Sequence, residues 1–391
     1  MDWLVLELTG SLAAVGVTVA MQFGPLLVFG IWGGIIVDRY SRRMLLITTQ
    51  AIGSALSVVL AVLALSGAVE VWHVNLTAIA MGFIAIIDNP ARQAFVSEVA
   101  GSDNLGHAIS INSAVFQLGG LIGPAASGLL MVTVGIGWAF VANAVTCAVT
   151  VVTLSTLRSS ALFRTVLVGR SPGQLREGLR FARHEPAIVW TLVLLAFVSV
   201  FCFNMPVILA AYADGVFDLG AGGYGIFNSL VAVGALAGAI ASALRRTIRL
   251  RTVVFGAVLW GSVQGATAFI DSQLAFAAAL VALGAVTLLF LTAATSLVQC
   301  SATPQLRGRV MAIYTVIMFG GQTLGSPMMG WILQHFGAAM GMAVSGFVPA
   351  FVALVLCLVL ARRGQLRLRL SIRRSDPIIA IVPRLSGSTC S

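Results

Sequence analysis

Three groups of residues carry types and spacings that can do chemistry. The first is Gly34-Ile-Ile-Val-Asp38-Arg39-Tyr40-Ser41-Arg42-Arg43, a carboxylate set among arginines. The second is Asp88-Asn89-Pro90-Ala91-Arg92. Residues four apart share a helix face, so Asp88 and Arg92 can pair. The third is Gly119-Gly120-Leu-Ile-Gly123-Pro124-Ala-Ala-Ser-Gly128, in which glycines smooth one face and Pro124 removes a backbone bond. Charge pairing and close helix approach are the chemistry these patterns offer. The five cysteines show no metal-ligand spacing and the four histidines are scattered. A chain without lysine cannot build the usual phosphate loop. No enzyme activity, metal or cofactor is therefore expected.

The elements that position these residues follow from composition. Of 391 residues, 59% are hydrophobic and 9% charged, where soluble domains average about 45–50% and about 25%. Mean hydropathy is +1.01. A soluble globule, a disordered chain and a disulfide scaffold are excluded. Long unbroken apolar runs also exclude a membrane barrel, whose strands alternate. Runs of spanning length stand at roughly 12–37, 44–67, 73–91, 108–132, 137–157, 187–212, 222–244, 252–270, 273–297, 310–334 and 338–361. A shorter run, Trp3–Leu8, precedes the turn Thr9-Gly10-Ser11. The expected class is all-α and polytopic, with eleven full spans and an incomplete first one.

The net charge is +10. Every basic residue is arginine, and all of them fall on alternate loops. The loops at 39–43, 92, 158–183, 245–251 and 307–309 and the tail from Arg362 hold them; the intervening loops hold none. Basic loops stay on the cytoplasmic side. The C-terminus is accordingly expected in the cytoplasm, and the positive charge is read against anionic lipid rather than nucleic acid.

Residues 158–186 interrupt the apolar pattern. Ser171-Pro172 starts a helix in which Leu175, Leu179 and Ala182 share a face, an amphipathic segment expected at the membrane surface. The expected organisation is a bundle over 1–157, this linker over 158–186, a second bundle over 187–361 and a basic cytoplasmic tail over 362–391. The bundles also repeat. A shift of 202 residues lands Gly119, Gly123 and Gly128 on Gly321, Gly325 and Gly330, and Ile111 on Ile313. Parallel halves of this kind mark transporters. The same shift implies that span 7, near Ala187, has a partner beginning before Met1. Either the true start lies upstream, the favoured reading, or the chain is a shortened relative.

The loop at Gly34–Arg43 resembles the signature loop of the major facilitator superfamily, with Ser41 in place of its second glycine. Asp88–Phe95, Ala108–Gly128, Arg307-Gly308-Arg309-Val310-Met311 and the opening Asp2–Leu8 resemble its bacterial drug and siderophore exporter branch. The resemblance covers residues 2–361. It implies two six-helix bundles related by a pseudo-two-fold. It implies an inner-gate latch at Gly34, Asp38, Arg39, Arg42 and Arg43, and a gate or proton-linked role for Asp88, Asn89, Pro90 and Arg92. It also implies an antiporter hinge at Gly119, Gly123, Pro124 and Gly128. Gln22, Asn112, Gln117, Asn204 and Asn228 are candidates to line a central cavity. The implied activity is proton-coupled export of amphiphilic small molecules by a monomer in the cell membrane. An uptake symporter of the same fold and a non-transporting remnant are the alternatives.

Overall fold

The computed structural model describes residues 1–100, 108, 112, 115, 119, 122, 123, 126–157, 174–244, 249–302, 306–362, 367–370 and 379–382. These residues are almost entirely helical. The helices are α1 (Asp2–Thr9), α2 (Leu12–Arg39), α3 (Arg42–Leu65), α4 (Val71–Ala100), α5 (Ile136–Thr156), α6 (Gln174–His184), α7 (Pro186–Phe201), α8 (Met205–Gly215), α9 (Gly220–Ala243), α10 (Leu250–Thr267), α11 (Gln273–Ser301) and α12 (Arg307–Arg362). Residues 126–133 are also helical.

Local chemistry sets the breaks. Gly10 turns left-handed (φ 59°) to end α1, and Ser11 caps α2 by accepting from the Ala14 N–H. Ser41 caps α3 in the same way through the Met44 N–H. Among the described residues, eight helical stretches are long and apolar enough to cross a membrane. One of them, Val310–Val359, has 50 residues. At 1.5 Å per residue this is more than two bilayer cores of about 30 Å. Gly337, at φ 83°, breaks it into two arms.

Three elements depart from the sequence reading. The fourth span was expected to stop at 91, yet α4 continues through Pro90 to Ala100. A proline inside a helix frees the carbonyl four residues earlier, here that of Ile86. The Gly33 backbone closes on that carbonyl so tightly that a Cβ at Gly33 would overlap its oxygen. A neighbouring helix thus covers the group that the proline leaves open. The apolar run at 187–212 is not one helix. It breaks at Cys202–Asn204, and Pro206 in the first turn of α8 has no N–H to carry α7 onward. Beyond α12, residues Arg367–Leu370 and Ile379–Val382 pair as a two-stranded antiparallel ribbon, Arg367 opposite Val382.

The chain forms two compact units. The first holds Met1–Pro172 with Asn204–Ala232 and Phe319–Gly341. Within it α2 packs on α4, and α3 packs on both α4 and α5. Gly82 gives α4 room to lie against the Gln22 carbonyl and the Pro25 ring of α2. At the Arg-bearing end, Val37, Leu46, Ala91, Phe95 and Leu154 form a buried apolar cluster.

The second unit holds Gly173–Phe203, Val233–Met318 and Met342–Ser391. Here α7 packs on α10 and α11, and the indole of Trp260 is buried between Phe203 and Phe290. Gly234 and Gly238 let α9 approach the backbone of α11, and Gly261 does the same for α10 against Gly346 in the second arm of α12. Such small-residue contacts are how helices associate where lipid removes the hydrophobic drive.

Candidate functional site

Two sets of polar residues are built into the first unit, one at each end. At the Arg-bearing end, α4 presents Asp88, which is buried at 6% exposure. Its Oδ1 accepts from Thr49 Oγ1 and Gln50 Nε2, both at 2.9 Å, and its Oδ2 accepts from Arg92 at 2.6 Å. The carboxylate thus ties α3 to α4 through two donors, and Arg92 pairs with it from within α4. A charge at this depth is tolerated because it is paired and hydrogen-bonded.

Arg42 pairs with Glu98 at 2.8 Å, and both side chains are largely buried. Arg43 Nε donates to the Leu154 carbonyl at 2.7 Å and its Nη2 to the Ser155 carbonyl at 2.8 Å. Those carbonyls end α5, where a cation complements the helix dipole. The turn between α2 and α3 is therefore pinned to α4 by one arginine and to α5 by the other. Arg39 and Asn89 are exposed, and Pro90 is half-buried. Gly34 and Asp38 lie on α2, but their surroundings fall outside the described residues.

Glu98, Thr49 and Gln50 were missed in the sequence. Glu98 lay beyond the expected end of its span. A longer fourth span would have put it within reach of Arg42.

At the Arg-free end, segments from the later part of the chain lie against the first helices. A Cβ at Gly128 would fall 2.8 Å from the Gly225 Cα. A Cβ at Gly330 would lie 3.1 Å from the Ala13 Cα, and one at Gly16 3.1 Å from the Pro327 Cα and closer still to the Ser326 carbonyl. The Phe23 and Phe319 rings stack at 5.5 Å. Two glycines at matching repeat positions, Gly128 and Gly330, thus sit at tight backbone contacts. Gly119 and Gly123 are exposed, and a Cβ on either meets nothing within 4 Å. Gly321 is half-buried and Gly325 buried. Pro124 and Gln117 lie outside the described residues.

Of the remaining cavity candidates, Asn204 is fully buried and accepts from Ser326 Oγ. Gln22 is half-buried and Asn112 exposed. Asn228 lines a cavity of about 340 Å³ together with Asp2, Trp3, Ser57, Asn143 and Tyr224. Asn143 donates to Ser57 at 2.7 Å, and the Trp3 and Tyr224 rings stack at 5.8 Å. Asn228 Nδ2 donates to the Tyr224 backbone carbonyl at 2.8 Å. Aromatic walls with a few amide, hydroxyl and carboxylate groups suit an amphiphilic ligand. That Asp2 and Tyr224 line one cavity carried no sequence signal, because it depends on two segments distant in the chain.

Comparison with known proteins agrees with this architecture. Residues 1–379 match the family described as transmembrane secretion effector. The multidrug efflux pump Tap of Mycolicibacterium fortuitum is 34% identical over 195 residues, 48% of this chain and 47% of the pump. In that match the chain spans about half the length of its relative. The enterobactin exporter EntS of Escherichia coli is 26% identical over 377 residues, 92% of this chain and 86% of the exporter. Three solved structures share the fold. A bacterial homologue of the human lysosomal transporter Spinster, inward-facing and occupied, superposes with TM-score 0.69 at 15% identity, covering 92% of this chain and 91% of that one. The nucleoside transporter NupG gives 0.67 at 12% identity, with 92% of each chain covered. A D-xylose-proton symporter gives 0.66 at 16% identity, covering 88% of this chain and 87% of the other.

Proposed function

The chain belongs to the transmembrane secretion effector family, on the drug and siderophore exporter branch of the major facilitator superfamily, and from this premise we infer that it exports amphiphilic small molecules in exchange for protons. It is a multi-pass membrane transporter. The observation that carries the direction of transport is the match to an exporter along 92% of the chain. The mixed polar and aromatic cavity supports an amphiphilic cargo.

In this reading the Arg-bearing end faces the cytoplasm, as the arginine distribution favours. The halves, residues 1–157 and 187–361, rock as a monomer around a midplane site, the mode that parallel repeats support. Asp38 then serves a latch at the cytoplasmic end. Asp38→Asn is expected to lower transport while leaving membrane insertion intact; unchanged efflux at equal expression would contradict the latch.

The activity itself is read in a host deleted for its own pumps. Cells expressing the chain should retain less of a fluorescent amphiphile than control cells, and an uncoupler should abolish the difference. Higher retention that collapses with the uncoupler would instead identify an uptake symporter.

A further inference from the structure

The first turn of any helix leaves backbone N–H groups without partners inside the helix. In α2 the Ser11 side chain takes one, the Ala14 N–H at 3.3 Å. The Ala13 N–H is taken by a residue 321 positions away in sequence: Gln334 Oε1 accepts it at 3.1 Å. The same oxygen accepts from Ser11 Oγ at 2.7 Å. A glutamine of the second half of the chain therefore completes the cap of a helix in the first half.

The packing around it is close. Gln334 stands one helical turn beyond Gly330, where the Leu12 and Ala13 backbone leaves no space for a side chain. Further along, Gly16 abuts the Ser326 carbonyl and Phe23 stacks on Phe319. Leu12, Gly16, Val19 and Phe23 recur at helical spacing on one face of α2, so Val19 lies within this seam and is buried.

We propose that Gln334 is a positioning residue of the transport cycle, a removable cap that clasps the Arg-free end of the seam shut. The proposal rests on the alternating-access reading above, in which this seam parts once per cycle. Gln334 is exposed, so water can replace its bonds as the seam opens. The clasp thus biases an equilibrium without locking it. The acceptor oxygen is the working group, since both partners donate to it.

The test uses the full chain without its native cysteines, carrying Val19→Cys, in right-side-out vesicles. A membrane-impermeant maleimide then reports seam opening from the Arg-free side. Gln334→Ala is expected to speed labelling about fivefold, the factor that corresponds to ~1 kcal/mol. Gln334→Glu keeps an acceptor and should label no faster than the parent. Ser11→Ala removes one donor and should give a smaller acceleration; it also serves if Gln334→Ala inserts poorly. Unchanged labelling in Gln334→Ala, or equal acceleration by Gln334→Glu, overturns the proposal. Labelling requires neither substrate nor a proton gradient. A chain that shows the clasp yet fails to export therefore refutes the exporter reading alone.

Discussion

Asp88→Ala is expected to be among the most damaging single changes at the Arg-bearing end. The substitution removes the one acceptor shared by Thr49, Gln50 and Arg92. Thr49 and Gln50 each lose a bond across the α3–α4 contact, and Thr49 itself is buried at 5% exposure. Thr49 keeps the Leu46 carbonyl at 3.1 Å as an acceptor, and Gln50 is half-buried. With an unsatisfied buried polar group costing about 1–3 kcal/mol, a loss of roughly 1–3 kcal/mol is expected. Arg92 adds little, because its side chain is half exposed and can turn to water. Asp88→Asn keeps an oxygen for two of the donors and should recover most of the stability. Melting of detergent-solubilised protein, followed by monodisperse elution after heating, reads the difference. Equal melting of Asp88→Ala and the parent would show that the network carries no load.

Gly16→Val should have the largest effect at the opposite end. A Cβ at position 16 overlaps the Ser326 carbonyl, and the atoms it meets are backbone, which cannot swing aside. The branched side chain must therefore push α2 away from the first arm of α12 and with it the Gln334 cap. Transport is expected to fall by more than about tenfold, which requires only ~1.4 kcal/mol, while insertion continues. Gly53→Ala is the control, since a Cβ there meets nothing within 4 Å. Transport normalised to the amount of protein in the membrane separates the two. Wild-type transport by Gly16→Val would show that the tight seam is dispensable.

These two sites also show what the sequence made legible. The spans α2 and α3 could be placed within a few residues, because bilayer thickness sets their length and arginines stand at their ends. The Asp88–Arg92 pair was readable because it is local, one helical turn on one element. Its other partners were not, because Thr49 and Gln50 belong to a different helix whose rotation no periodicity fixed. Pro90 misled for a definite reason. Proline costs a helix one backbone bond and does not forbid it, and α4 runs on through Pro90 with the Gly33 backbone of α2 packed against the freed Ile86 carbonyl. The break at Cys202–Asn204 was hidden inside a run whose hydropathy never drops.

The glycines show the same limit. The spacing of Gly119, Gly123 and Gly128 and of their counterparts marked a repeat, yet it did not single out Gly128 and Gly330 as the members at backbone contacts. The partners of Arg43 were hidden in another way. Its acceptors are main-chain carbonyls more than a hundred residues away, which have no side-chain signature.

Export coupled to protons is the centre of this account, and everted membrane vesicles test it most directly. With the vesicle lumen acidified by respiration, addition of a transported amphiphile should drive its accumulation inside and raise the lumenal pH. Both effects should be absent in Gly16→Val vesicles and should vanish with an uncoupler. Accumulation that persists without the proton gradient, or lumenal pH that does not move as substrate enters, would contradict proton-coupled export.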